Sequence, residues 1–199
     1  MAALPPTLSS LCIADPPEAW SALGFTVLDD AVHIGGVRLQ LGASGGRGIV
    51  GWSLRDVREG ADLDGLVTEA GSGPELPAVD HPVGAIGVDH VVAMTPSVDR
   101  TVEKLRAAGF DYRRTREAGG GYRQAFFVVG PCLLELGGPA EGDVRFWGLT
   151  LVVRDLDATA AFLGDRLGRV KDAVQPGRRI ATLKREAGLL VPLALMTPR

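Results

Sequence analysis

Two adjacent arginines follow a Pro-Gly turn in the segment Gln175–Arg179. A turn requires the proline and the glycine for their backbone angles, but it does not require the arginines. Successive side chains of a strand point to opposite faces, so one of Arg178 and Arg179 is expected to point inward and the other into solvent. An inward guanidinium would bind a carboxylate or a phosphate through paired hydrogen bonds. We assign this role to Arg179, and solvated surface arginines are the alternative.

A second polar segment, Tyr122–Gln124, precedes an apolar strand that contains Phe126. Alternation again sends one set of side chains inward. If that set contains Gln124 and Phe126, the site is amphipathic, and if it contains Arg123, the site is cationic. All four side chains, including Tyr122, are therefore candidates for substrate binding.

The tryptophans Trp52 and Trp147 lie in similar strand contexts, GWSL and FWGL. Packing in the core is the simpler interpretation for both, and stacking on a planar ligand is the alternative, for which we select Trp147. Neither Cys12 nor Cys132 has the local signature of a catalytic nucleophile, and each lies in an apolar run typical of a small buried residue.

An internal repeat supplies the elements that position these residues. The first copy contains an apolar strand at GVDHVV, a helix capped by Ser97, and three β-rich runs separated by glycine turns. The second copy has the same order, with Asp155 as the helix cap. His90 precedes Ser97 by seven residues, as Gly148 precedes Asp155, while Glu135 lies 45 residues beyond His90 and Ala194 lies 46 beyond Gly148. The expected apolar helix faces are Val98, Val102 and Leu105 in the first copy, and Leu156, Ala160, Leu163 and Leu167 in the second.

The N-terminal part follows the same order on a shorter scale. We predict a strand at SLCIAD, a short helix at PPEAWSALG, and three strands at FTVLDD, AVHIG and VRLQLG. The next fragment, GIVGWSLRDVREGADLDGLVTEAG, resembles a strand followed by a helix. We predict a degenerate N-terminal module at 1–75, a Gly- and Pro-rich linker at 76–85, and a paired domain at 86–199 with modules 86–139 and 145–199.

Tandem βαβββ units, with DHVV opening the first and LLELG closing it, resemble the vicinal-oxygen-chelate superfamily of glyoxalases, extradiol dioxygenases and bleomycin-resistance proteins. The resemblance implies an α+β fold in which the two modules form one cupped mixed sheet. It also implies metal ligands on the first and last strands of each module, which here are His90, Glu135, Gly148 and Ala194.

Only two of these four positions carry a donor side chain, whereas a catalytic divalent site needs about three protein ligands. His90 and Glu135 are either the remainder of a site for Zn, Mn, Fe, Ni or Co, completed by another donor, or a hydrogen-bonded pair in a cavity without metal. Gln40, His33, His81 or another subunit could supply the missing ligand. Individually, His33 and His81 are expected at the surface or in turns.

The resemblance implies binding of a small oxygenated ligand, which is anionic if an arginine enters the cup. His90 and Glu135 would catalyse a lyase, isomerase or dioxygenase reaction, and metal-free sequestration of a ligand is the alternative. The 46% hydrophobic residues, 23% charged residues and net charge of −3 indicate a globular cytoplasmic protein and disfavour nucleic acid and membranes as partners. A homodimer is left open.

Overall fold

The computed structural model describes residues 4–71 and 79–199, which form two β-sheets. Part of the predicted linker, 76–78, lies outside the described residues. The N-terminal elements are β1 (Thr7–Ile13), α1 (Pro17–Ser21), β2 (Ala31–Ile34), β3 (Val37–Gln40), β4 (Ile49–Arg55) and β5 (Thr68–Ala70). They form a five-stranded sheet in the order β2-β3-β1-β4-β5.

The remaining elements form an eight-stranded sheet built from two units of identical order. The first unit contains β6 (Ala85–Met94), α2 (Val98–Ala107), β7 (Asp111–Glu117), β8 (Arg123–Val129) and β9 (Cys132–Gly138). The second contains β10 (Arg145–Val153), α3 (Leu156–Leu163), β11 (Lys171–Asp172), β12 (Arg179–Thr182) and β13 (Leu193–Met196). The strand order β11-β12-β13-β10-β6-β9-β8-β7 confirms the predicted tandem βαβββ fold, with β6 and β10 paired antiparallel at the centre.

Both predicted helix caps are confirmed. Ser97 accepts a hydrogen bond from the Arg100 amide at 3.4 Å, and Asp155 accepts from the amides of Asp157 and Ala158 at 2.9 and 3.0 Å. These bonds satisfy backbone donors that the first turn of a helix leaves free. The caps therefore set where each helix starts relative to the strand before it.

The helix faces agree with the prediction except at one residue. On α2, Val98 and Leu105 are buried, Val102 is partly buried against the core, and the same helix also buries Thr101, whose hydroxyl oxygen lies 2.7 Å from that of Thr95. The second helix ends at Leu163, and Leu167 lies beyond it in the following segment. Gly164, at a φ of 55°, ends this helix.

Two N-terminal predictions are wrong. The segment FTVLDD forms only an isolated bridge at Leu28, because Asp29 and Asp30 adopt left-handed φ angles of 49° and 53° that turn the chain directly into β2. No helix follows β4 either. Residues 56–67 form an irregular connection, in which Asp56 and Asp64 also have positive φ angles, and the chain then returns as β5, parallel to β4.

The two sheets share an aromatic core on the helix-bearing face of the larger sheet. Trp52 of β4 is 1% exposed, as its core interpretation predicts, and its ring lies 5.9 Å from Phe110 and 5.1 Å from Phe146. Phe110 in turn contacts Phe127 of β8. Since Phe127 points away from the face that carries Gln124, the opposite face of the larger sheet is left open.

The longest helix has ten residues, and none in the parts of the chain that the structure describes is long and apolar enough to cross a membrane.

Candidate functional site

A β-bulge at the centre of the larger sheet positions His90. Along the β6–β10 pair, Thr150 is opposite His90 and Leu151 is opposite Val88, so Asp89 is an extra residue without a partner. An extra residue interrupts strict alternation and redirects its side chain. Asp89 and His90, although adjacent in sequence, therefore lie side by side, and the Asp89 Oδ2 atom is 2.8 Å from His90 Nδ1.

Asp89 is held by a buried ion pair with Arg178. The two side chains are 2% and 5% exposed, and Arg178 Nη1 donates to Asp89 Oδ1 at 2.7 Å. Burial raises the pKa of the Asp89 carboxyl, but hydrogen bonds from His90 and Arg178 outweigh it, so the pKa is lowered overall. An ionised carboxylate can only accept, so His90 Nδ1 carries a proton, and in the neutral imidazole Nε2 keeps its lone pair.

Glu135 is oriented from the other side by a chain of donors on β8 and β7. The Gln124 amide nitrogen donates to Glu135 Oε1, and the Gln124 amide oxygen accepts from Arg116 at 2.9 and 2.6 Å. This arrangement fixes the orientation of the Gln124 amide. Glu135 Oε2 is thereby directed towards His90 Nε2, at a distance of 3.9 Å.

These groups line a cleft of about 450 Å³ on the open face of the sheet. The Thr150 hydroxyl lies 3.0 Å from His90 Nε2 and donates to it when the imidazole is neutral. Apolar walls surround the polar centre. The complete lining is His90, Val92, Met94, Tyr122, Gln124, Glu135, Trp147, Leu149, Thr150, Ile180, Thr182, Pro192, Leu193 and Ala194.

Tyr122 enters this cleft because a glycine makes room for it. A Cβ atom at Gly137 would lie 2.0 Å from the Tyr122 hydroxyl oxygen, so a side chain there would displace the tyrosine. Burial, followed by the charge of Glu135, raises the pKa of Tyr122. Among the described residues, the acceptor for its hydroxyl is the Met94 sulfur, at 3.6 Å. Tyr122 therefore stays protonated near neutral pH and has a donor hydrogen available for a ligand.

Trp147 also lines the cleft and is 52% exposed. It is the extra residue of a second bulge, on β10, at the position equivalent to Asp89 in the register set by the helix caps. Phe126 lies beside the cleft, on the same face as Gln124, between the guanidinium groups of Arg114 and Arg116, each 5.6 Å from its ring.

The two arginines predicted to enter the cup do not line it. Arg123 donates to Asp99 at 2.8 Å, and Arg179 donates to Asp157 at 2.8 Å, so both face the helices. Alternation from Gln124, which faces the cleft, sends Arg123 to the opposite side. The prediction for Arg179 is wrong for the same reason, because the inward member of that pair is Arg178.

In the second module, the two positions that correspond to His90 and Glu135 are Gly148 and Ala194, and neither has a donor side chain. Glu135 is paired with Val92 and Ala194 with Thr150, so the two are equivalent, as the repeat register predicts. Ala194 has no donor, and a Cβ atom at Gly148 would lie 3.0 Å from the Pro192 carbonyl oxygen. The backbone at Pro192 thus occupies the space into which a ligand side chain at position 148 would extend.

The donor set present does not fit a catalytic divalent ion. His90 and Glu135 provide two donors, and no group of three His, Cys, Asp or Glu residues with metal-binding geometry occurs in residues 4–71 and 79–199. Neither His33, His81 nor Gln40 lines the cleft. His81 begins a turn, as one of the two expectations has it, because the Gly84 amide donates to its carbonyl at 2.7 Å. It is 2% exposed and not at the surface, because its ring bridges the Thr26 amide and the His33 carbonyl. A ligand from another subunit stays a prediction.

Sequence reasoning missed Asp89, Arg116 and Thr150, and it selected the wrong arginine of the pair at 178 and 179. The Asp-His dipeptide at 89–90 was a signal for the first of these, but strict strand alternation would separate the two side chains. Only the pairing with β10 reveals the bulge that brings them together.

No family model and no curated protein matches the chain. Among solved structures, a methylmalonyl-CoA epimerase from Mycobacterium tuberculosis is similar at 20% identity and a TM-score of 0.50, over 58% of this chain and 90% of that one. A variant of the Streptomyces coelicolor methylmalonyl-CoA epimerase, in complex with 2-nitronate-propionyl-CoA, has 26% identity and a TM-score of 0.45, over 55% and 95%. A hypothetical protein from Bacillus halodurans has 12% identity and a TM-score of 0.47, over 56% and 94%.

Three observations agree with one another. The two βαβββ units are joined through their first strands, they share a cleft on the open face, and the first of these structures is similar at a TM-score of 0.50. The eight-stranded part of the chain, Ala85 to Met196, therefore has the vicinal-oxygen-chelate fold.

Proposed function

We propose that the protein is an isomerase-type enzyme that removes and returns a proton at a carbon next to a carbonyl group. The observation that carries this proposal is the pair of opposed acceptors, Glu135 Oε2 and His90 Nε2, held 3.9 Å apart by separate hydrogen-bond chains. A hydrogen atom placed beside both atoms is within reach of either.

Glu135 is the base in this proposal. Its carboxylate takes the proton, the electron pair of the C–H bond forms a C=C bond, and the carbonyl π pair moves to oxygen to give an enolate. The Tyr122 hydroxyl, whose acceptor among residues 4–71 and 79–199 is the weakly accepting Met94 sulfur, is the donor for the enolate oxygen. Return of the proton to the opposite face of the same carbon, or to a different carbon of the enolate, completes an isomerisation, whereas its return to the original face gives hydrogen exchange alone.

Asp89 and Arg178 act through His90. Their ion pair keeps the proton on Nδ1, so that Nε2 accepts from the Thr150 hydroxyl or from the substrate. No step in this scheme requires a metal ion, in keeping with the two-donor set.

A second candidate is sequestration of a ligand without turnover. It is favoured by the exposed indole of Trp147, which forms an apolar wall of the cleft together with Met94 and Leu149. In that case the same cleft would bind an oxygenated aromatic or apolar compound, and the polar groups would provide only orientation.

Hydrogen–deuterium exchange distinguishes the two. We would incubate the protein in D2O with a panel of 2-substituted carbonyl acids and thioesters, with and without a chelator, and follow the hydrogen next to the carbonyl by NMR. Glu135→Gln should abolish exchange, whereas the matched control Glu103→Gln, on an exposed position of α2, should not change it. Saturable binding with no exchange in the wild type would favour sequestration, and exchange that survives in Glu135→Gln would refute the assigned base.

A further inference from the structure

A groove of about 440 Å³ adjoins the cleft and is lined by three cationic side chains. Thr182 and Pro192 line both cavities, so the two cavities are neighbours. Arg47 comes from the connection between β3 and β4, whereas Lys184 and Arg185 come from the segment between β12 and β13. The groove is therefore built from connections of both parts of the chain.

The groove has a local positive charge in a chain of net charge −3. None of its lining residues is acidic. Within residues 4–71 and 79–199, no carboxylate forms an ion pair with Arg47, Lys184 or Arg185. Their charges are thus available to a ligand, unlike those of Arg123 and Arg179.

Buried hydrogen bonds hold the groove in shape. Asp15, which is completely buried, accepts from the amides of Leu190 and Val191 at 2.6 and 3.1 Å. Gly48, the neighbour of Arg47, lies against Val191, where a Cβ atom would be 3.5 Å from its Cα. Arg47 is consequently fixed beside the segment 188–192 whose other end, Pro192, borders the cleft.

The strand register gives the distance between the groove and the proposed reaction centre. Thr182, Ala194, Thr150 and His90 are successive partners across four neighbouring strands. At about 4.8 Å per strand, Thr182 is about 14 Å from His90. A ligand that reaches both places must be elongated.

We propose that this groove binds the phosphate-bearing tail of the substrate, with two or more phosphates beside Arg47, Lys184 and Arg185 and the reacting carbon beside His90 in the adjoining cleft. This inference rests on the proposed function for the position of the reacting carbon. Three separate cations match the several oxygens and multiple charges of a diphosphate better than the single charge of a carboxylate.

Inorganic pyrophosphate, titrated calorimetrically into the full chain at low salt, is the probe, with acetate as the singly charged comparison. We expect saturable pyrophosphate binding that is much stronger than acetate binding. Arg47→Gln should weaken it about fivefold to tenfold, as should Lys184→Gln, because each removes one charge-assisted contact at a solvent-accessible site. Unchanged thermal unfolding would verify that these surface variants are folded.

Arg169→Gln is the matched control, since Arg169 is an exposed cation of the same module that does not line the groove. It should leave pyrophosphate binding unchanged. No binding in the wild type, equal binding of acetate, or equal weakening by Arg169→Gln and Arg47→Gln would overturn the proposal.

Two measurements separate a failure of phosphate binding in the groove from a failure of the proposed isomerase function. Glu135→Gln should retain pyrophosphate binding while it abolishes exchange. With a phosphate-tailed substrate, Arg47→Gln should raise KM and leave kcat unchanged. A fall in kcat with constant KM would contradict a role in binding the tail.

Discussion

Replacing Asp89 by asparagine tests the arrangement on which His90 depends. The change removes one charge of an ion pair whose side chains are 2% and 5% exposed and leaves Arg178 buried without a counter-charge. Breaking a buried pair in this way costs about 3–5 kcal/mol. Arg178 keeps its hydrogen bonds to the Thr197 carbonyl at 3.0 and 2.6 Å, so we expect a loss near the lower limit, about 3 kcal/mol.

Urea unfolding, followed by circular dichroism, measures this loss through the linear dependence of unfolding free energy on denaturant. In a chain of this size, 3 kcal/mol corresponds to a fall in Tm of about 6–12 °C. Adding Arg178→Met should recover part of the stability, because a well-packed apolar side chain then replaces the unpaired charge. A loss below about 1 kcal/mol in the single variant, or no recovery in the double variant, would refute the reasoning.

The pH dependence of the same variant provides an independent test. The folded-state pKa of Asp89 is lowered, so its contribution to stability is present above the unfolded pKa of about 3.9 and is lost as the pH falls through the folded pKa. The difference in unfolding free energy between the wild type and Asp89→Asn should therefore shrink on acidification below that unfolded value. A difference that is constant from neutral to strongly acidic pH would show that the carboxylate charge is not responsible.

Further predictions concern the cleft and its support. Tyr122→Phe should slow proton exchange about 100-fold with little change in KM, because it removes a donor to the enolate oxygen. Gly137→Ala should lower Tm, since its methyl group would lie 2.0 Å from the Tyr122 oxygen, and the double variant with Tyr122→Phe should regain part of the loss, since the ring carbon Cζ would still lie 2.9 Å from that methyl group. Cys132, whose pKa burial raises to about 12, should react with a thiol reagent at mildly alkaline pH only after denaturant is added. Asp15→Asn should destabilise the protein by about 1–3 kcal/mol and make the segment 188–192 more sensitive to limited proteolysis; wild-type resistance would contradict its anchoring role.

Local signals accounted for most of the larger sheet. Ser97 and Asp155 cap helices through bonds to amides two or three residues away, so their effect is visible in the sequence itself. The same signals set the repeat register, which made Glu135 and Ala194 equivalent before their pairing was known. The N-terminal module was less predictable, because Asp29 and Asp64 adopt left-handed angles that apolar patterning does not reveal.

The site depended on contacts between distant segments. From the sequence alone, Arg178 and Arg179 were expected on opposite faces of a strand, and His90 and Glu135 on the first and last strands of one module. Only the tertiary structure decided that Arg178 is the inward residue and that a bulge places Asp89 beside His90. Alternation determines which residues share a face, but the choice of face and the position of a bulge depend on the partner strand. For the same reason, only the packed chain shows that the N-terminal part of the chain holds the cleft-lining segment in place and adds a cationic groove to it.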